Sequence, residues 1–179
     1  MQPPFGRSNP DRIRATNAAI LSAFALLVAA GCAPEGESEI VPPEHRFPLS
    51  LGDHTVHVEL AVTQEEQSQG LMFREELTED AGMLFVSYYP RRMSFFMRNT
   101  PLPLDIGYFS AEGVLREVHR LYPYDETPVR SQSSQIQFAL EMNQGWYSEN
   151  GVRRGAELDL EQLTEALRRR GFSPEDFGL

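Results

Sequence analysis

Two carboxylates, two guanidiniums and an amide are the side chains of this 179-residue chain whose types and settings could support chemistry. Arg98, Asn99 and Asp105 sit in FFMRNTPLPLDIGYF, Phe95 to Phe109, between two runs that favour burial. Arg74 follows GLMF, and Glu141 follows FAL. If these segment ends converge, the five side chains line one pocket. Asp105 and Glu141 could then share acid and base work, as in a hydrolase or transferase, provided their environments split their pKa values. Alternatively, Arg74 and Arg98 could hold a carboxylate, phosphate or sugar by forked hydrogen bonds. A third reading is structural. Pro101 and Pro103 remove two backbone donors, so the turn needs side chains to satisfy what remains, and Asn99 and Thr100 suit that task. Asp105 paired with an arginine would lock such a turn onto a sheet. Loss of turnover, affinity or stability in Asp105→Asn separates the three readings.

Other chemistries have little support. There is no phosphate loop, dinucleotide fingerprint or nucleophile elbow, and no cofactor is expected. His54 and His57 in DHTVH lie three apart, which on a strand points them to opposite faces, so no shared metal is expected. His119, beside Arg120, is expected to face solvent. Phe95, Phe96, Tyr108 and Phe109 alternate as core residues of strands do. Tyr122 and Tyr124 lie in a surface loop, LYPYDETP. With Trp146 and Tyr147 they are either half-buried or an exposed aromatic patch.

Several elements must position these side chains. HTVHVELAV alternates, with Val56, Val58, Leu60 and Val62 on one face, and predicts a half-buried strand. Thr63 and Glu66 have capping-box spacing and Gly70 suits a helix end, so a short helix follows. GMLFVSYY (82–89) reads as a second strand and MSFFMR as a third, separated by Pro90. LDIGYFSAEGVLREVHRLY reads as a hairpin turning at Ala111, Glu112 and Gly113. SQIQFALEM (134–142) is a further strand, and NQGWYSENG a short helix or turn closed by Gly151. DLEQLTEALRRRG predicts a terminal helix capped by Asp159, with Leu160, Leu163 and Leu167 on one face and Arg168, Arg169 and Arg170 at the negative end of its dipole. The sum is mainly β: a small antiparallel β-sandwich or partly closed barrel with two or three short helices.

The N-terminal stretch reads as an address rather than as fold. Arg7, Arg12 and Arg14 precede an apolar run of 13 residues, Ala18 to Ala30. That is short of the ~20 needed to span a bilayer and has the build of a secretory signal. It ends in VAAGC, so residues 1–31 are expected to be a lipoprotein signal peptide and Cys32, the single cysteine, the lipidated residue. Residues 32–45 are rich in Pro, Glu, Ser and Gly and read as a flexible tether. The folded domain spans 46–160, with a C-terminal helical extension over 161–179. Removing 1–31 takes away three arginines and one aspartate, which leaves 13 basic and 25 acidic residues, a net −12. All basic residues are arginine. Such acidity argues against a nucleic-acid partner. The expected partners are a membrane, reached through the N-terminal lipid, and a small ligand or envelope protein.

GLMFR (70–74), GMLF (82–85), FFMRNTPLPLD (95–105) and ALEMNQG (139–145) follow one another in an order that resembles the DUF192, or UPF0127, family. The resemblance covers roughly Leu51 to Leu160. It implies a small, mainly β, sandwich-like domain of unknown biochemical function, often exported or lipid-anchored in bacteria. The family often has Trp where Phe96 stands and Lys where Arg98 stands; an aromatic and a cation are kept. No catalytic residue comes with the resemblance.

Overall fold

The structure is a computed structural model that describes residues 39–179. The expected signal peptide, Cys32 and most of the tether lie outside the described residues.

Eight strands form among the described residues, six of them built by alternating apolar residues and turn chemistry where the sequence predicts strands; those over Phe47–Leu51 and Val129–Arg130 are additions. The eight are β1 (Phe47–Leu51), β2 (His54–Ala61), β3 (Ala81–Arg91), β4 (Ser94–Phe95), β5 (Leu104–Phe109), β6 (Leu115–Leu121), β7 (Val129–Arg130) and β8 (Ile136–Asn143). Six form one sheet in the order β1-β2-β3-β8-β5-β6, and β4 and β7 form a separate two-stranded ladder. The protein is mainly β, as expected. The large sheet stays open rather than closing into a barrel, and it is mixed: β2 and β3 run parallel while the other neighbours are antiparallel. A parallel pair needs a crossover, and the short helix α1 (Gln64–Gln69) with the loop behind it provides one. Pro90 does not end a strand. β3 runs through it, with the ladder to β8 interrupted between Val86 and Arg91, where a missing backbone donor costs nothing. The strand expected from MSFFMR shrinks to two residues, paired with β7.

The two faces of the sheet are covered differently. On one, Val56, Val58, Leu60, Leu84, Val86, Phe138 and Leu140 meet the terminal helix α3 (Leu160–Arg169) through Leu163 and Leu167, with Phe177 beyond it. Residues 161–179 therefore pack into the domain core rather than extending from it. On the other face, Met83, Phe85, Ile106, Tyr108 and Ala139 are roofed by irregular chain that inserts Leu71, Met93, Met97 and Leu102. Gly82 sits where β3 crosses tightly against β8: a Cβ there would collide with the Glu141 carbonyl and the Met142 sulfur.

Arg170 follows α3 and does more than complement its dipole. Its side chain is 4 % exposed, donates to the Leu60 carbonyl at 2.8 Å and pairs with Glu66 of α1. Burial pushes the Glu66 carboxyl up, but the Thr63 and Val62 amides and the Arg170 guanidinium outweigh it and hold the group below its usual range. The expected capping box is present, with Thr63 accepting from the Glu66 amide at 3.2 Å and Glu66 accepting from Thr63 at 2.9 Å.

Candidate functional site

The five side chains singled out from the sequence do not converge. Arg74 forks onto Glu59 of β2, donating at 3.0 Å through one of its two bonds, and Arg46 adds a third contact to the same buried carboxylate at 3.3 Å. Arg98 lies in solvent over the Phe96 ring and binds Glu126 at 2.8 and 3.0 Å. Asn99 is exposed, with φ 53°, in the left-handed region, and its carbonyl accepts from the Phe73 amide at 2.8 Å. The remaining pair, Asp105 and Glu141, is split by the sheet. The register sets Asp105 opposite Met142 and Glu141 opposite Ile106. Directly opposed residues share a face and successive ones alternate, so the two carboxyls point to opposite sides. An acid–base pair of Asp105 and Glu141 is thus excluded by strand parity.

Asp105 acts as a cap. One of its oxygens accepts from the Gly145 amide at 2.8 Å, at the start of the short helix α2 (Trp146–Glu149), and the other is buried without a partner among the described residues. Asp105 thus ties β5 to the start of α2 through a backbone amide, and no arginine pairs with it among the described residues, so the expected Asp105–arginine pair is not formed. Trp146 and Tyr147 are core residues here, not an exposed patch, whereas Tyr122 and Tyr124 are exposed. His119 is half-buried: it bonds Glu117 at 2.7 Å and meets the Tyr108 ring edge-on.

Glu141 has the setting of a functional group. Its face is the one roofed by irregular chain, and it lines a cleft of about 550 Å³. The cleft is bounded by α1 and Gly70–Met72 on one side and by residues 91–98 and Thr100 on the other, with Phe85 and Glu141 supplied by the sheet. Glu141 is 5 % exposed, and no described residue hydrogen-bonds its carboxyl. Burial pushes that carboxyl up to about 8, so it is largely protonated at neutral pH. The same burial, with Glu141 and Glu117 nearby, raises the Tyr108 hydroxyl. On its sheet row Glu141 is flanked by Met83, with the Glu59–Arg74–Arg46 cluster one strand further. A buried carboxyl without a partner is costly, so its presence in a cleft marks a candidate site.

The walls are held by specific bonds. Gln67 of α1 donates to the Val86 carbonyl at 2.8 Å and accepts from Arg91 at 3.5 Å, which ties the helix to β3. Phe73, Asn99 and Tyr124 all have positive φ. Their turns are joined by Phe73 N–H to Asn99 at 2.8 Å and Tyr124 N–H to Thr100 at 3.1 Å. Backbone strain of this kind collects where surrounding structure over-determines a shape, and here it lies in turns that adjoin or bond Met72, Arg98 and Thr100 of the lining. Arg91 and Arg92, which also line it, were not singled out from the sequence; an arginine pair at the end of an apolar strand was the available signal.

The family model of DUF192, described as Uncharacterized ACR, matches residues 48–160. No curated protein matches the chain. Among solved structures, it resembles a protein of unknown function from Novosphingobium aromaticivorans DSM 12444, at 30% identity and TM-score 0.62, over 71% of this chain and 99% of that one. It also resembles a candidate transcription regulator from Sinorhizobium meliloti 1021, at 32% identity and TM-score 0.62, over 69% of this chain and 97% of that one. Glu141 and the residues that close over it fall within the matched span, and on these matches the chain belongs to the DUF192 family.

Proposed function

We propose that this DUF192 member is an exported, lipid-anchored protein whose cleft beside Glu141 binds a small ligand. The anchor reading is supported by the basic start, the short apolar run and VAAGC ahead of Cys32. Its test is partition between detergent and aqueous phases. The full chain is expected in the detergent phase and the Cys32→Ser variant in the aqueous phase; equal partition of the two removes the anchor from the proposal.

One observation carries the binding reading: a buried carboxyl without a hydrogen-bond partner among the described residues faces a cleft of about 550 Å³, within the usual range for small-molecule sites of roughly 300–1,000 Å³. The lining mixes aromatic and thioether side chains with amides, hydroxyls and arginines, which suits a ligand with both polar and apolar parts. The regulator description of the Sinorhizobium structure is not carried over, because a net charge of −10 gives no basic footprint for nucleic acid. A fragment library screened against the isotopically labelled protein tests the reading. Hits are expected to move the amide resonances of Gly70, Phe85 and Met93 together. If fragments leave those signals in place, or move only surface tyrosines, the cleft is not a site.

A further inference from the structure

The cleft is polarised. In a chain of net charge −10, three arginines line it and Glu141 is its sole carboxyl among the described residues. Arg98 is taken up by Glu126. Arg91 and Arg92 meet no carboxylate among the described residues. Arg91 donates to Ser87 at 3.0 Å and to Gln67 at 3.5 Å, and Arg92 donates once, to the Gln132 carbonyl at 3.0 Å. Each guanidinium has five N–H donors, so most are left for a ligand. The two polar ends are also separated along the sheet. Arg91 pairs with Ile136, and Glu141 lies further along the same strand, about 16 Å away at the usual rise per residue. The rest of the lining mixes apolar side chains, among them Phe85, Phe95 and Met93, with amides and hydroxyls.

We propose that the cleft takes an elongated monoanion, with a carboxylate head at Arg91 and Arg92, an apolar body against Phe85, Phe95 and Met93, and a hydroxyl tail bonded to Glu141. This rests on the small-ligand reading of the cleft. Forked Arg–carboxylate bonds favour such a head and repel a cationic one. The tail supplies the hydrogen-bond partner that the fold withholds from Glu141.

Three eight-carbon probes separate the alternatives: octanoate, 8-hydroxyoctanoate and octylamine. Titrated into the labelled protein, octanoate is expected to move the Gly70, Phe85 and Met93 amides. 8-Hydroxyoctanoate should bind about tenfold tighter, the worth of one added buried hydrogen bond. Octylamine should not bind. The double variant Arg91→Gln/Arg92→Gln should weaken both acids at least about tenfold. Glu141→Ala should erase the gain from the hydroxyl and leave octanoate binding in place, a readout that a folding defect does not mimic. Octylamine binding as well as octanoate, or a hydroxyl gain that survives Glu141→Ala, overturns the inference. If the fragment screen finds other ligands in the cleft while these acids fail, the small-ligand reading stands and this inference alone falls. If both experiments leave the cleft empty, both fall.

Discussion

Glu141→Gln is expected to stabilise the protein increasingly as pH rises above about 5, by roughly 4 kcal/mol at pH 8, and to change little near pH 4. Burial raises this carboxyl from its ordinary 4.5 to about 8 in the folded state. Below pH 4.5 the folded and unfolded chains both hold the proton, and the group costs no more than a neutral amide would. As pH rises through the next three to four units, the unfolded chain releases the proton and the folded one keeps it, so stability is lost progressively. Above about 8 the folded state ionises as well and the cost levels off. Glutamine cannot ionise, so the variant escapes this loss, and the desolvation cost of its amide is the same at every pH. Urea midpoints of both proteins across pH 4 to 9 measure the difference. A gap that is flat with pH would mean that Glu141 is solvated or paired in solution. A gap that opens as described marks a group held against stability, as functional groups often are.

Arg170→Ala is expected to cost about 3 kcal/mol, the usual penalty for leaving one member of a buried ion pair without its partner. The substitution strips the Leu60 carbonyl of a donor, leaves Glu66 with its backbone amides alone, and removes the guanidinium that lies 5.8 Å from the Phe172 ring centre. Glu66 is also half of the capping box that starts α1, and α1 forms a wall of the cleft. The loss should therefore be local as well as global. Amide exchange over Gln64–Gln69 is expected to accelerate more than exchange in β3 or β8. Arg170→Lys should recover part of the stability by restoring charge, without the second bond. A cost below about 1 kcal/mol would place Arg170 among ordinary solvent-screened pairs and detach the C-terminal segment from the cleft.

Local chemistry was legible in the sequence. The alternation of Val56, Val58 and Leu60, the Thr63–Glu66 box, the turn at 111–113 and the Asp159 cap each depend on neighbours within a few residues, and each is in place. Family membership was legible for a related reason, since the order of short motifs survives in the chain itself. Partners distant in sequence were not. Arg74 meets Glu59, Arg98 meets Glu126 and Arg170 meets Glu66, and nothing local chooses among the many carboxylates of an acidic chain.

Residue types thus determined which side chains could matter, and the tertiary structure decided which of them meet. The separation of Asp105 from Glu141 turns on the register between β5 and β8, because side chains alternate with a period of two and a shift of one residue would reverse every face. That register, the parallel pairing of β2 with β3 and the irregular roof over one face are products of long-range packing. They leave Glu141 buried, without a partner among the described residues and facing the cleft, a condition of the surroundings rather than of the residue itself.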